Sequence, residues 1–152
     1  MAVTGLRRML GAAALACVTV LASTVMAPAA HAAGKKWGPI YAKTDGTSAA
    51  AAWGDFANNG GVYATVGANW TDLKYTDGWD AYVEVQFTFW KQGRWQYAST
   101  VQSKRTYDTA SGPLSARLRS DATAARAVIK VCVDRSARPD VCSPTSIVSF
   151  NY

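Results

Sequence analysis

The chain is poor in the residues that most often do chemistry. It has one histidine, three cysteines, three methionines and one glutamate, Glu84, in 152 residues. His31, Cys17 and every methionine fall before residue 33, in a stretch that reads as an export leader. Without that stretch no imidazole remains to activate a serine or cysteine nucleophile, or to bind zinc or copper. No Gly-rich phosphate loop, Walker pattern or dinucleotide fingerprint is present. Aspartate turns such as Asp77-Gly78 lack calcium-loop spacing. There is no amphipathic helical pattern, internal repeat, low-complexity tract or linker. No metal and no cofactor are expected.

The leader is built from Arg7-Arg8, an uncharged apolar run from Met9 to Met26, and Ala30-His31-Ala32, which fits the small-x-small cleavage rule. Its 18-residue run is near the lower limit for a membrane span, so an uncleaved anchor is the alternative to cleavage. Arg7-Arg8 also suits the twin-arginine route. Residues 1–32 are read as a signal peptide and residues 33–152 as one secreted domain. Removing 32 of 152 residues leaves 120. Fourteen basic residues then face 10 acidic ones, a net charge of +4, and no membrane association is expected. A domain of this length buries about two-thirds of its unfolded surface. Cys132 and Cys142 remain as a pair, and an exported pair most simply forms a disulfide. Such a bridge closes about 11 residues and stabilises by roughly 3 kcal/mol. If the two cysteines face each other, Val133 falls opposite Val141.

What is abundant is period-two alternation. In Ala81-Tyr82-Val83-Glu84-Val85-Gln86-Phe87-Thr88-Phe89-Trp90 the apolar residues point one way and the polar or amphipathic ones the other, the mark of a half-buried strand. Arg94–Val101 returns as its hairpin partner. A two-residue turn at Gln92-Gly93 would set Trp90 opposite Trp95 and Phe87 opposite Ala98, mismatching the apolar faces, whereas a three-residue loop, Lys91-Gln92-Gly93, sets Phe89 opposite Trp95, Phe87 opposite Tyr97 and Val83 opposite Val101, which matches them. That register places Trp95 and Trp70 in the core. Val62, Ala64, Val66, Ala68 and Trp70 form a second inward row after the Asn58-Asn59-Gly60-Gly61 turn. Trp37–Lys43 is an edge strand broken by Gly38-Pro39, Ser48–Phe56 a short strand, and Pro113–Leu118 another. Ala127, Ile129, Val131 and Val133 line one more, and the last strand carries Pro144 and so lies at an edge or bulges. The expected fold is all-β: an antiparallel, immunoglobulin-like β-sandwich of 7–8 strands with one disulfide. Strand count alone does not separate it from a closed barrel.

Six Trp and seven Tyr exceed what the core rows need. Tyr63, Tyr82, Glu84, Gln86 and Trp90 are placed on outer faces, with Gln96 and Gln102 across the hairpin. Flat rings stack on sugar faces while amides and carboxylates take hydroxyls, so these residues are candidates for holding a cell-wall polymer or other polysaccharide. The plainer account is that strands are rich in aromatics anyway, with Trp90 covering Arg94 in a cation–π contact. A second reading takes Arg135-Ser136, in the loop between the cysteines, as the scissile bond of a secreted protease inhibitor. A third is two-carboxylate glycoside hydrolysis. Asp80 and Glu84 are about 13 Å apart along one strand, beyond the about 5 to 9.5 Å the chemistry needs. Lys104, Arg105, Arg117, Arg119, Arg126 and Lys130 form a basic set, but no nucleic-acid motif accompanies them, and no nucleic-acid partner is expected.

The segments YATVGANWTDLK, AYVEVQFTF, ARAVIKVCVD and DVCS together resemble the small secreted β-sandwich proteins of actinobacteria such as streptomycetes. The resemblance spans roughly residues 48–150. It implies a sandwich fold and an exported location, and no functional residues. Streptomyces protease inhibitors also end in a β-rich segment, but they carry two disulfides where this chain has one pair of cysteines.

Overall fold

The computed structural model describes residues 34–152. The leader, including His31 and the cleavage motif, lies outside the described residues. Nine strands follow in order: β1 (Lys35–Thr44), β2 (Thr47–Asn59), β3 (Tyr63–Asp72), β4 (Asp80–Lys91), β5 (Arg94–Gln102), β6 (Thr109–Arg117), β7 (Ala124–Asp134), β8 (Val141–Cys142) and β9 (Ser146–Asn151). They form two antiparallel sheets. One runs β1-β2-β3-β6; the other runs β5-β4-β7, with β8 and β9 both paired to the free side of β7. The fold is therefore an antiparallel β-sandwich. Immunoglobulin constant domains order their sheets ABED and CFG, so the likeness to them is one of architecture.

β8 and β9 are one edge strand interrupted at Ser143-Pro144-Thr145. Pro144 has no N–H for a ladder. Ser143 bridges the gap: its N–H donates to the Val131 carbonyl at 2.8 Å, and its hydroxyl accepts the Val131 N–H at 3.2 Å. The break at the proline is the one its chemistry predicts.

The inward rows meet in a single core of Trp37, Phe56, Val66, Trp70, Val83, Val85, Phe87, Phe89, Leu114, Ile129, Val131 and smaller residues. Phe87 is fully buried and Phe89 nearly so. Ala49 to Ala52 on β2 are all buried, so this alanine run is covered on both faces of the strand. At Gly54 a Cβ would overlap the Gly67 carbonyl oxygen and crowd the Trp37 indole, so β2 and β3 approach more closely there than any side chain would permit.

The hairpin register differs from expectation. The loop has two residues, Gln92 and Gly93, both left-handed (φ 52° and 76°), the geometry whose twist suits a tight hairpin. Lys91 therefore pairs with Arg94 and Trp90 with Trp95. A β-bulge then shifts the ladder between Phe87 and Thr88, and beyond it Phe87 faces Ser99 and Val85 faces Val101. The bulge absorbs one residue of β5 and returns Ala98 and Val101 to the core side. The apolar match thus comes from a bulge inside the strand, and the loop stays short. Trp95 moves accordingly to the outer face.

Two smaller differences have similar causes. Val62 is 43% exposed because Gly60 and Gly61, both left-handed, still turn the chain before β3 begins at Tyr63. β6 starts at Thr109, ahead of the expected start at Pro113, and Pro113 is tolerated inside it because β6 is an edge.

Candidate functional site

The register fixes which side chains share a face. On the outer face of the β5-β4-β7-β9 sheet, Trp95, Trp90, Ala124 and Asn151 form one row, and Tyr97, Thr88, Arg126 and Ser149 the next. Thr100, Gln86, Val128 and Ile147 follow, then Gln102, Glu84 and Lys130. Tyr82 and Cys132 close the face.

The predicted ligand-binding residues do not form one surface. Tyr63 belongs to β3, paired with Asn59 and Arg117, so it stands on the opposite outer face of the sandwich. Its placement beside Tyr82 and Trp90 is corrected: alternation showed that it points out, and not which sheet it belongs to. Tyr82 is only 3% exposed. Its hydroxyl donates to the Asp140 carboxylate at 2.6 Å, and the Arg105 guanidinium lies 4.5 Å over its ring. Burial, together with the Asp140 contact, pushes its phenol far above the usual range. Tyr82 thus supports the disulfide corner and is not a stacking platform.

Glu84 is held between Lys130 (2.9 Å) and the Gln102 amide (2.7 Å). Burial raises its pKa, but these two partners outweigh that and hold it below the ordinary value. A carboxylate so neutralised is a poor general acid. Gln86 is exposed beside this pair.

Trp90 remains as predicted, 37% exposed on the outer face. Its partner is Trp95, which the expected three-residue loop puts in the core. Trp95 sits directly opposite, with ring centroids 5.4 Å apart in an edge-on arrangement. The expected Trp90–Arg94 stack is absent, and instead Arg126 of β7 lies 3.8 Å over the Trp95 ring. Arg126 thereby fixes Trp95 and leaves Trp90 as the open ring. The two indoles, with Thr123, Ala124 and Asn151, line a shallow groove of about 560 Å³. Tyr97, 61% exposed, continues the face. Only the two-residue turn reveals the Trp90–Trp95 pair in the sequence.

The disulfide is as expected. Cys132 and Cys142 pair directly across β7 and β8, Cα to Cα 4.0 Å, with Val133 opposite Val141. The loop it braces is not an extended reactive segment. The Arg138 N–H donates to the Arg135 carbonyl at 2.8 Å, closing a turn in which Ala137 is left-handed. The Arg135 guanidinium donates twice to the Pro139 carbonyl (3.0 and 2.6 Å). Arg135-Ser136 is folded onto its own loop, which is a correction to the inhibitor geometry: the guanidinium satisfies a carbonyl of the loop before any protease reaches it.

The basic set is likewise dispersed. Arg105 pairs with Asp134, Arg119 with Asp121 and Lys130 with Glu84. Arg126 covers Trp95, and Arg117 lies on the other sheet. Among the described residues no group of three or more His, Cys, Asp or Glu is placed to hold a metal ion. Among the described residues no helix is long and apolar enough to cross a membrane.

Compared with protein-family models, with curated proteins and with solved structures, the chain matches none of them.

Proposed function

We propose that this is an exported, non-enzymatic binding protein that holds cell-envelope or extracellular polysaccharide on the outer face of its β5-β4-β7 sheet. The Trp90–Trp95 groove carries this reading. An exposed indole stands beside one locked by a cation, over a shallow, open trough rather than an enclosed pocket. A trough admits the side of a polymer, whereas an enclosed cavity takes a small molecule whole. Asn151, Gln86, Thr100 and Gln102 supply amide and hydroxyl partners for sugar hydroxyls along the same face. The leader and the cysteine pair support export.

The test is co-sedimentation of the mature domain with purified cell-wall sacculi and insoluble polysaccharides. Trp90→Ala should weaken retention about tenfold, the equivalent of about 1.4 kcal/mol of stacking. Equal retention of variant and wild type rejects the face.

A further inference from the structure

The opposite side of the sandwich holds a second constellation. On the outer face of the β1-β2-β3-β6 sheet, Trp53 stands directly opposite Asn69, and Asp55, two residues on, stands opposite Gly67. Trp53 is 41% exposed. With Lys36 and Pro39 at the β1 edge, Trp53, Asp55 and Asn69 line a depression of about 600 Å³. Gly67 makes the arrangement sterically feasible: a Cβ there would overlap an Asp55 carboxylate oxygen. The missing side chain is what lets the carboxylate lie against the sheet beside the indole.

Asp55 also differs from several other carboxylates. Glu84, Asp121 and Asp134 each hold a cation, and Asp72, Asp77 and Asp140 each accept a hydrogen bond. Among the described residues the Asp55 carboxylate and the Asn69 amide have neither. The Asp55 carboxylate is partly exposed with its acceptor sites open, and a ligand rich in hydroxyls supplies donors. The amide adds a donor and an acceptor, and the indole offers a flat apolar ring. Lys36 stands opposite Asp55 across β1 and β2, so the two charges offset and the depression favours neither sign of ligand, while a purely apolar one would strip the carboxylate of water without replacing it. A neutral sugar ring satisfies all three groups at once.

We propose that Trp53, Asp55 and Asn69 form a second, neutral-saccharide subsite on the face opposite Trp90. The two faces are separated by two sheets packed about 10 Å apart, so the molecule holds two polymer chains and bridges them. The subsite stands by itself; the bridging rests on the reading of the Trp90 face given above.

The chain has six tryptophans, and each contributes one indole N–H signal to a ¹H–¹⁵N spectrum, assignable by single Trp→Phe variants. Cellohexaose and chitohexaose are the probes. The Trp53 signal should shift saturably with at least one of them, in the wild type and equally in Trp90→Ala. Asp55→Asn and Gly67→Ala should each weaken that response about tenfold while leaving the other indole signals in place. A Trp53 signal that neither sugar moves, while Trp90 and Trp95 respond, overturns the second subsite and spares the first. The reverse pattern overturns the Trp90 face alone. Bridging is read separately, as clumping of sacculi by the wild type. Trp53→Ala should bind sacculi without clumping them, and clumping undiminished in that variant contradicts the bridge.

Discussion

Trp90 and Trp95 face each other across β4 and β5, with ring centroids 5.4 Å apart, and only Lys91 and Arg94 separate them from the turn. Their meeting depends on Gln92 and Gly93 both being left-handed. A residue with a Cβ pays about 1–2 kcal/mol in that conformation, with Asn affected less. Gly93→Ala should therefore lower unfolding stability by about 1–2 kcal/mol. Gln92→Asn should raise it by up to about 1 kcal/mol. Urea titrations of the two variants check both; a neutral Gly93→Ala would mean that the turn is of another type.

The hairpin also shows how far the residues alone could lead. Alternation in Val83, Val85, Phe87 and Phe89 identified the strand and its buried face, because one face in water and one in a core leaves a period of two. The register was not legible. Matching apolar faces favoured a longer loop, whereas the chain keeps the short turn and shifts a residue into a bulge, which no local pattern announces. Tyr63 was read correctly as outward, but sheet membership is a long-range property, and its strand pairs with β2 and β6. Tyr82 was also outward, yet Arg105 and Asp140, distant in sequence, cover it. Cys132 and Cys142 were legible because they are the two cysteines that follow residue 33. Trp53, Asp55 and Asn69 were not, since their convergence needs the β2–β3 register.

Gly54 should tolerate no substitution. A Cβ there would overlap the Gly67 carbonyl oxygen, a backbone atom that cannot rotate away. Gly54→Ala should cost about 3 kcal/mol, whereas Gly67→Ala meets only the end of the Asp55 side chain and should leave a folded protein. Thermal melts of the pair separate the two; equal losses would show that strands β2 and β3 are not pressed together at Gly54.

Reduction of Cys132–Cys142 should lower stability by roughly 3 kcal/mol, the closure entropy of a loop of about 11 residues. Denaturation with and without reductant, and of the Cys132→Ala/Cys142→Ala double variant, measures it. A loss below about 1 kcal/mol would mean that the Tyr82–Asp140 bond and the Ser143 bridge hold the edge without the disulfide.

Asp72 gives the fold a pH dependence. Burial raises its pKa, the Lys74 N–H (2.7 Å) lowers it, and the charges of Asp77 and Asp80 raise it further, for a net increase. The folded protein then binds this proton more tightly than the unfolded chain does. Its contribution is present below the unfolded carboxylate value and is lost as pH rises through the raised folded value. At neutral pH the ionised group is a cost, so Asp72→Asn should melt a few degrees higher than the wild type. The gap should close in acid, where Asp72 is itself protonated. A gap that is constant with pH would show that charge is not its cause.

The central claim is that the Trp90–Trp95 face holds polysaccharide. Its most direct measurement is affinity electrophoresis in native gels cast with soluble hydroxyethylcellulose, xylan or glycol chitin, run beside polymer-free gels. The wild-type domain should be retarded by at least one polymer, and Trp90→Ala/Trp95→Ala, folded by circular dichroism, should lose most of that retardation. A double variant retarded as strongly as the wild type, or a wild type that migrates freely through all three, would contradict the account.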